Sequence, residues 1–540
     1  MKKLIEDRNT YKSIRTDPTN TLQRKNNKIV DELYKGKHIN FREKLKLTCT
    51  AATAPRIYGL PKIHKPGVPL RSIVSSIMVP CYKLSKYIGE ILQSLISGKY
   101  NVKNAFNLKD KLTNVHVCDE DVLVSFDVIS LFTNIPTTLA SRIIMNKWDL
   151  IQQKTSIPKK KFHEIIDFCL KDNNYFMFSN KLYAQTFGMP MGNPISPTIA
   201  DIIMDNLLDN TITELKEKFN IDIKFVTKYV DDIFAIIKRN DANIILDTLN
   251  KYHNKLKFTM EIEKDSKIPF LDVCIYREKQ NLLLDWYSKP TSSGRLINYF
   301  SSQPRNYKIN TAKNLIHKVL TISHTQFHDA NIEKITNILK NNNYPVKLIH
   351  ELINQEIIKH SNHPNTQSDS ETTKSAKKFF SVTYIPNLTD NFDHNITKTQ
   401  NTALAYKSNC TLSRIYTKTK CPVEVHQQNN VVYEIKCNGK ETETCGKVYI
   451  GTTKRPLGVR LGEHEADIRK RKSSTALSQH ILTSGHTADF ANTNIIDKER
   501  REQIRYTIES LRIMQKREMT INKKEDTDNI AAAYITCLQK

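Results

Sequence analysis

The 540-residue sequence contains no apolar run long enough to span a bilayer, and its N-terminus, Met1 to Glu6, has no signal-peptide core. Its ten cysteines are scattered and form no disulfide framework, so we expect a reducing, intracellular environment. Acidic residues are also scarce, because 56 Asp and Glu face 82 Lys and Arg and leave a net charge of +26. This excess suits a polyanionic partner such as nucleic acid, although a basic protein without that partner would have the same composition.

The organisation of the chain is predicted from its length and its apolar periodicity. Hydrophobic residues make up 39% of the sequence, which is enough for globular domains. Strand-like runs at residues 122–124, 225–226, 233–237 and 282–284 alternate irregularly with helical stretches at 82–95, 162–170, 199–215 and 242–256. The irregular alternation favours an α+β fold.

The remaining segments differ in composition and in the spacing of their apolar residues. Helical spacing is found in residues 1–50 and 311–359, loop composition in 54–76, linker composition in 361–378, and a compact α/β pattern from about 431 to 517.

Three segments carry carboxylates and turns in an order that suggests chemistry. An apolar strand ends in Asp127 and is followed by Phe132, a Gly- and Pro-rich turn at 187–197 opens a helix, and Asp231 and Asp232 interrupt strand-forming residues. Adjacent aspartates in an apolar hairpin repel each other, and a bound divalent cation removes that cost. An isolated Asp-Asp pair would suggest a hairpin turn. With Asp127 the pair instead offers the oxygen cage that Mg²⁺ prefers, as phosphoryl transfer from a nucleoside triphosphate requires.

These segments resemble the reverse transcriptase family and, more narrowly, the Penelope-like retroelements, whose finger and palm motifs are similar to residues 60–66 and 126–136. The resemblance implies a right-hand polymerase with fingers, palm and helical thumb. It further implies an RNA template, a DNA primer, deoxynucleoside triphosphates, and Mg²⁺ or Mn²⁺ held by Asp127, Asp231 and Asp232.

The resemblance also assigns substrate-binding roles. It implies that Phe132 is a steric gate against the ribose 2′-hydroxyl, that Arg71 grips the triphosphate with help from Lys62, and that the template and nucleotide floor includes Gln185, Gly192, Pro194 and Tyr229. Simpler interpretations remain open: Phe132 could be a core residue, Lys62 and Arg71 could be solvated charges, and the helical tract could pack without contacting nucleic acid.

A second motif set occupies the C-terminal region. Tyr433 and Tyr449 lie on predicted strands, Arg460 and His464 are one helical turn apart, and Glu509 follows at a distance. This order resembles the GIY-YIG endonucleases, a domain that some Penelope-like elements carry at this end, although Val-Val-Tyr replaces Gly-Ile-Tyr here. The chemistry fits phosphodiester hydrolysis, with a divalent metal such as Mg²⁺ on Glu509, charge stabilisation by Arg460, and Tyr449 or His464, aided by Tyr433, as general base. Ordinary strand tyrosines and a surface glutamate are the alternative.

Two cysteines and two histidines accompany this motif set. Cys437, Cys445, His480 and His486 offer a ligand set for structural Zn²⁺, while the loose spacings are equally consistent with buried free thiols. The resemblance to the Penelope-like family, where a similar set accompanies the nuclease, favours zinc.

The complete interpretation is a nuclear mobile-element enzyme that nicks target DNA and copies RNA from the exposed 3′-hydroxyl, with no membrane association. The expected division is an N-terminal extension at 1–53, fingers and palm at 54–300, a thumb at 301–360, a linker and connector at 361–430, a nuclease at 431–520 and a tail at 521–540. The rival hypothesis is a decayed or truncated copy that only binds nucleic acid, since the family's upstream Asp-Lys-Gly motif is not in this sequence. A telomere-type polymerase is disfavoured by the nuclease-like motifs.

Overall fold

The computed structural model describes residues 1–8, 10–63, 67–362, 378–386, 388–389, 402–408, 423–440, 444–528 and 530. Most of the predicted linker and connector therefore lies outside the described residues, as do residues 64–66 of the first finger motif and residues 531–540 of the predicted tail. Within the described ranges, no helix combines the length and apolarity needed to cross a membrane.

A five-stranded sheet is built from the N-terminal part of the chain. Its strand order is β1-β6-β5-β2-β3, with β1 Tyr11–Ile14, β2 Arg56–Pro61, β3 Leu70–Ser75, β5 Tyr175–Phe178 and β6 Lys181–Gln185. The early helices are α1 Lys2–Ile5, α2 Thr19–Lys35 and α3 Phe41–Leu47, and α3 begins with a capping box between Asn40 and Glu43. Strand β1 shows that residues 1–50 are not purely helical as expected, because this short strand pairs with β6, far along the sequence.

The prediction of a loop at residues 54–76 is wrong. Strands β2 and β3 form an antiparallel hairpin there, paired from Arg56↔Ser75 to Pro61↔Leu70. Two of the prolines that suggested a loop, Pro61 and Pro69, lie at the tip of the hairpin, where the Lys62 N–H donates to the carbonyl oxygen of Pro69 at 2.9 Å. Proline at a strand end removes no needed ladder bond, so the pairing tolerates it.

A four-stranded sheet with the order β7-β8-β4-β9 forms the centre of the molecule. Its strands are β4 Asp121–Val128, β7 Phe225–Tyr229, β8 Asp232–Lys238 and β9 Phe258–Ile262. The helices of this region are α4 Tyr82–Leu92, α5 Ala105–Leu112, α6 Leu131–Asn134, α7 Thr137–Asn146, α8 Trp148–Ile151, α9 Lys159–Asp167, α10 Ser196–Phe219 and α11 Ala242–Lys251. The predicted helices and strands of this region are therefore present.

Strand β8 is buried on both faces, which explains its uninterrupted apolar run. Ile233, Ala235 and Ile237 join the core that contains α4, α7, α9 and α10. Phe234 and Ile236 point the other way, into a second core that includes Phe270, Val273, Ile275 and Leu284. That second core also contains side chains of α5 and of the three-stranded antiparallel sheet β10 Lys267–Phe270, β11 Val273–Glu278 and β12 Asn281–Trp286.

Three helices follow the central sheet: α12 Arg305–Ile322, α13 His328–Asn341 and α14 Val346–Asn362. The tract predicted as continuously helical is thus interrupted twice. Ile316, Val319, Ile335, Leu339 and Ile349 form its own core, into which Trp286 of β12 also packs. Two parallel strands, β13 Lys378–Thr383 and β14 Thr402–Lys407, come next in the chain.

The C-terminal unit is a three-stranded antiparallel sheet with helices, as predicted for a compact α/β segment. The order β16-β15-β17 joins β15 Val431–Gly439, β16 Val448–Thr453 and β17 Thr487–Lys498. The helices are α15 Leu457–Arg469, α16 Ala476–Ser484 and α17 Glu502–Gln515. The part of the chain that the structure describes is mixed α+β, which confirms the predicted α+β class.

Candidate active sites

The first site is a tight hairpin turn between β7 and β8. Tyr229 pairs with Asp232, so Val230 and Asp231 form a two-residue turn in which Val230 has φ +59°. A β-branched residue rarely adopts this left-handed conformation, so the surroundings must hold the turn in place. The Asp-Asp pair is therefore a hairpin turn and a candidate metal site at once, which the sequence interpretation had treated as alternatives.

Asp127 lies beside this turn because β4 is the neighbour of β8. Their last register pair is Phe126↔Ile233, and the next position along each strand is Asp127 and Asp232. Burial raises the pKa of Asp232 to about 6, and the negative charges of Asp231 and Asp127 add to the rise. The pKa of Asp231 is raised by burial and then by Asp127. The negative charge of Asp127 opposes the ionisation of both Asp231 and Asp232, which is the setting that a divalent cation relieves.

Two cations approach these carboxylates from different elements. The positive charge of the exposed Arg71 of β3 partly offsets the rise in the pKa of Asp231. The exposed Lys289, just after β12, does the same for Asp232. Arg71 was a predicted site residue, whereas Lys289 was not, since its sequence neighbours carry no motif signal. Lys62 is half-buried at the hairpin tip. Such cations can face the phosphates of a nucleotide bound at the carboxylates.

The loop at residues 187–195 is wedged between two elements of the site. Gly188 has φ +84° and Gly192 has φ +78°, and a Cβ atom would overlap the carbonyl of Thr133 at the first position and that of Val74 at the second. Only glycine fits these close approaches. Ser76 Oγ also donates to the Gly192 carbonyl, which ties the loop to the end of β3.

The other predicted substrate-binding residues, including the predicted steric gate Phe132, take different positions around this loop. Gln185 is buried, and its Nε2 donates to the carbonyls of Phe187 at 2.6 Å and Met189 at 3.0 Å, so it braces the loop from behind. Phe132 is half-buried against the core, and its carbonyl accepts from the Met189 N–H at 2.8 Å. Pro194 is half-buried, while Tyr229 is exposed beside the aspartates.

The second site brings two tyrosines and a histidine together in the C-terminal unit. Tyr433 on β15 is fully buried, and its hydroxyl lies 2.9 Å from His464 Nε2. The Tyr449 ring on β16 lies 5.4 Å from the His464 ring and 6.4 Å from that of Tyr433, measured between centroids. A Cβ on Gly451 would lie 2.7 Å from the Tyr433 hydroxyl, so this glycine keeps the space between the tyrosines open.

Helix α15 supplies the predicted Arg460 and His464 on one face. Burial and then the charge of Arg460 lower the pKa of His464 to about 4, so the imidazole is neutral near pH 7. Burial raises the pKa of Tyr449 to about 12 and raises that of Tyr433. Arg460 donates to Glu463 at 3.1 Å and interacts with both tyrosines. A neutral, buried imidazole in contact with a phenol can accept a hydrogen bond from it, which orients both groups.

Glu509 on α17 faces a cavity of about 390 Å³ that Tyr449 also lines. Burial raises the pKa of Glu509 to about 7, and the carboxylate of Asp526 adds to the rise. Asp526 was assigned to a tail, yet it lines the same cavity. Ser510 Oγ donates to its carbonyl at 2.7 Å, and Asn522 bonds the backbone of Ile450 at 2.9 and 2.8 Å. Residues 521–528 are therefore packed against α17 and β16.

The predicted zinc ligands converge. The ligand atoms of Cys437, Cys445, His480 and His486 all lie within 4.8 Å of one another. Cys437 Sγ is 3.4 Å from His486 Nδ1, Cys445 Sγ is 3.6 Å from His480 Nε2, and the two imidazole nitrogens are 3.3 Å apart. Two thiols and two imidazoles at these separations surround one point, as a tetrahedral zinc ion requires.

Comparison with known proteins gives two family matches. The family described as reverse transcriptase (RNA-dependent DNA polymerase) matches residues 63–272, and the animal helix-turn-helix domain matches residues 295–354. No curated protein sequence matches the chain.

Several solved structures are distantly similar. Telomerase from Candida albicans, in a complex with a fragment of telomeric RNA, is 10% identical over 65% of this chain and 62% of that chain, with a TM-score of 0.39. Apo telomerase from Candida tropicalis is 13% identical over 57% and 58%, at 0.36. The BmCPV RNA-dependent RNA polymerase is 14% identical over 61% and 30%, at 0.34. This chain spans less than two thirds of each of these structures.

Proposed function

We propose that this chain, whose residues 63–272 form a reverse transcriptase domain, is an RNA-directed DNA polymerase of a Penelope-like retroelement. The observation that carries the proposal is the crowding of Asp127, Asp231 and Asp232, with the pKa of Asp232 raised to about 6. Mg²⁺ or Mn²⁺ held by these carboxylates would activate the primer 3′-hydroxyl and neutralise the triphosphate. Arg71 orients the triphosphate, and Phe132 and the loop at 187–195 position the nucleotide against the template.

The test is primer extension on an RNA template with Mg²⁺ and deoxynucleoside triphosphates. We expect extension by the native chain and a loss of at least about a hundredfold in Asp231→Ala, because the ion that neutralises the transferring phosphate is lost. Asp241→Ala, a half-buried carboxylate in the short helical turn after β8, is the matched control. Equal activity in native protein and Asp231→Ala would rule out this active site.

A second activity is supported by the C-terminal site. We propose that residues 431–528 form a GIY-YIG-type nuclease that nicks the target DNA and so supplies the primer. The supporting observation is the contact of Tyr433 with the neutral His464, next to Tyr449 and Arg460. His464 and Tyr433 hold and move the proton of the attacking water or of Tyr449, and Arg460 stabilises the developing phosphate charge. A divalent ion held by Glu509 would polarise the scissile phosphate.

Nicking of supercoiled plasmid tests the second activity. Glu509→Ala should abolish nicking, while Glu502→Ala, an exposed carboxylate at the start of the same helix, should not. A native chain that binds DNA and RNA but neither nicks nor extends would favour the rival hypothesis, a decayed copy that acts only as a nucleic-acid-binding protein. We further propose a structural Zn²⁺ at the Cys437, Cys445, His480 and His486 cluster, and a nuclear site of action.

A further inference from the structure

A lysine ammonium is buried immediately before the turn that carries Asp231. The Lys228 side chain is 0% exposed, and its Nζ lies 2.7 Å from Asp201 Oδ1 and 3.2 Å from Asp205 Oδ1. Asp205 is itself only 2% exposed. Because no part of Lys228 reaches the surface, it does not contact a nucleic acid or a nucleotide directly.

Both carboxylates belong to an acidic face of α10. Asp201, Asp205 and Asp209 are spaced four residues apart, so they lie above one another along the helix. Asp205 Oδ2 accepts from the Ser97 N–H at 3.2 Å and from its hydroxyl at 3.0 Å. One turn further on, Asp209 Oδ1 accepts from the Tyr100 hydroxyl at 2.7 Å. This acidic face therefore holds β7 and the segment at 97–100 to α10.

The backbone of Lys228 is fixed as well. Its N–H donates to the Tyr100 carbonyl at 2.8 Å, and its carbonyl accepts from the Val102 N–H at 3.0 Å. Lys228 is thus held through its main chain by the segment at 100–102 and through its ammonium by α10. Two residues later, Val230 has φ +59°, a conformation that persists only where the surroundings impose it.

Burial of the Lys228 and Asp205 charges, with Asp201 partly buried beside them, is expensive in solvation, and an apolar residue at 228 could pack there at a lower cost. Unlike apolar packing, the ion pairs hold Lys228 in one direction. They connect β7 to α10, the helix that begins directly after the loop at 187–195. The carboxylate turn and the nucleotide-floor loop are then carried by one rigid body, made of β7 and α10.

We propose that Lys228 is a positioning residue for the polymerase site. Its ion pairs with Asp201 and Asp205 fix the strained turn so that Asp231 and Asp232 meet Asp127 at metal-binding distance. This inference rests on the proposed polymerase function, since it assigns the geometry of that same site.

Kinetics of the full chain test the proposal with a matched pair of lysines. Lys224 lies just before β7 and pairs with the buried Asp121 at 2.6 Å, far from the turn. We expect Lys228→Met to lower kcat by about tenfold or more and to raise the Mg²⁺ concentration for half-maximal rate, because displacement of catalytic groups by about an ångström is costly. KM for the nucleotide should change less than kcat. Lys224→Met should leave kcat and the Mg²⁺ requirement near native values, and Lys228→Arg should recover most of the loss.

A binding measurement separates this inference from the proposed function. Mn²⁺ affinity of the free protein is followed by water-proton relaxation, and the signal of the Asp231→Asn variant is subtracted to isolate the carboxylate turn. Weaker Mn²⁺ binding in Lys228→Met than in Lys224→Met supports the positioning role even if the native chain fails to extend primers, a failure that would count against the polymerase proposal alone.

Folding is monitored by circular dichroism. If Lys228→Met does not fold, Asp201→Asn takes its place. The Asp201 side chain is 28% exposed, and an asparagine there removes the charge but can still accept a hydrogen bond from Lys228, so this variant is the milder change. We then expect the same shifts at smaller amplitude. A folded Lys228→Met, or a folded Asp201→Asn in its place, with native kcat, Mg²⁺ requirement and Mn²⁺ affinity would overturn the proposal.

Discussion

At the scale of single residues, the loop glycines show how closely the elements of the proposed polymerase site approach one another. Gly192 combines a left-handed φ of +78° with a Cβ direction that points into the Val74 carbonyl. Gly67 has a similar φ of +71°, but a Cβ there meets no described atom within 4 Å. A side chain at Gly67 would strain only the backbone, whereas one at Gly192 would also clash with a neighbouring carbonyl. Comparing the two positions therefore separates the free-energy cost of the backbone conformation from that of the clash.

Gly67→Ala should therefore destabilise the chain by roughly 1–2 kcal/mol, the cost of a left-handed alanine. Gly192→Ala should cost about 3 kcal/mol or more, since a backbone clash is added to the same strain. Denaturant unfolding measures the difference, and primer extension should be lost only in Gly192→Ala. Equal destabilisation by the two substitutions would contradict the close approach of the loop to β3.

The raised pKa of Asp232 gives a pH-dependent prediction. A carboxylate whose folded pKa is above its unfolded value is stabilising at low pH, and that contribution is lost as pH rises through the folded pKa. For Asp232 the window runs from about 4 to about 6. Asp232→Asn should then raise the metal-free melting temperature at pH 8 and have little effect at pH 3.5. Saturating Mg²⁺ should reverse the order at pH 8, because only the native site binds the ion tightly.

At the scale of elements, sequence patterns predicted most of the architecture around the first site. The apolar run of β8, the helix after the Gly-Pro turn and the pair of carboxylate-bearing strands are all present. The β2–β3 hairpin was missed because Pro61 and Pro69 dominate its composition, although both lie at its tip. Strand β1 was missed because its partner, β6, lies more than a hundred residues away in the sequence.

Site residues outside the motifs could not be predicted in the same way. Contacts with elements distant in the sequence place three residues at the two sites: Lys289, Asp526 and Lys228. Patterns in a single sequence do not show such contacts. One signal was available for Lys228: a lysine precedes the carboxylate pair in a strand, and α10 carries aspartates four residues apart. The two features point to a buried ion pair once they are read together.

The cysteine–histidine cluster makes a prediction for the C-terminal unit. Purified protein should carry about one zinc ion per chain, and Cys445→Ser should lose it, because a structural site needs all four ligands. Chelation should lower the melting temperature of the native chain. Cys118→Ser, which alters an exposed thiol outside the cluster, is the control. Full zinc content in Cys445→Ser would contradict the proposed ligand set.

At the scale of the whole molecule, the net charge of +26 governs association with nucleic acid. Binding that releases counterions from the phosphate backbone weakens steeply with salt, by about 10³ or more between 50 and 200 mM when six to ten phosphates are contacted. We expect RNA–DNA hybrid affinity to fall in this manner. KM for a deoxynucleoside triphosphate should vary much less over the same range. A flat salt response of hybrid affinity would argue against a backbone-tracking surface.

The double-sided burial of β8 has a consequence for motion during a catalytic cycle. Amide hydrogens of Ile233 to Ile237 lie between two cores and should be among the slowest in the chain to exchange with deuterated solvent. Asp232 begins this strand, so it moves only as the central sheet moves. We expect opening and closing around a nucleotide to come instead from the tip of the β2–β3 hairpin, which carries Lys62 and lies next to Arg71, because the other end of β3 is tied to the loop at 187–195 through Ser76. Rapid amide exchange at the hairpin tip beside near-complete protection in β8 would be the signature of that division between a mobile tip and a fixed central sheet.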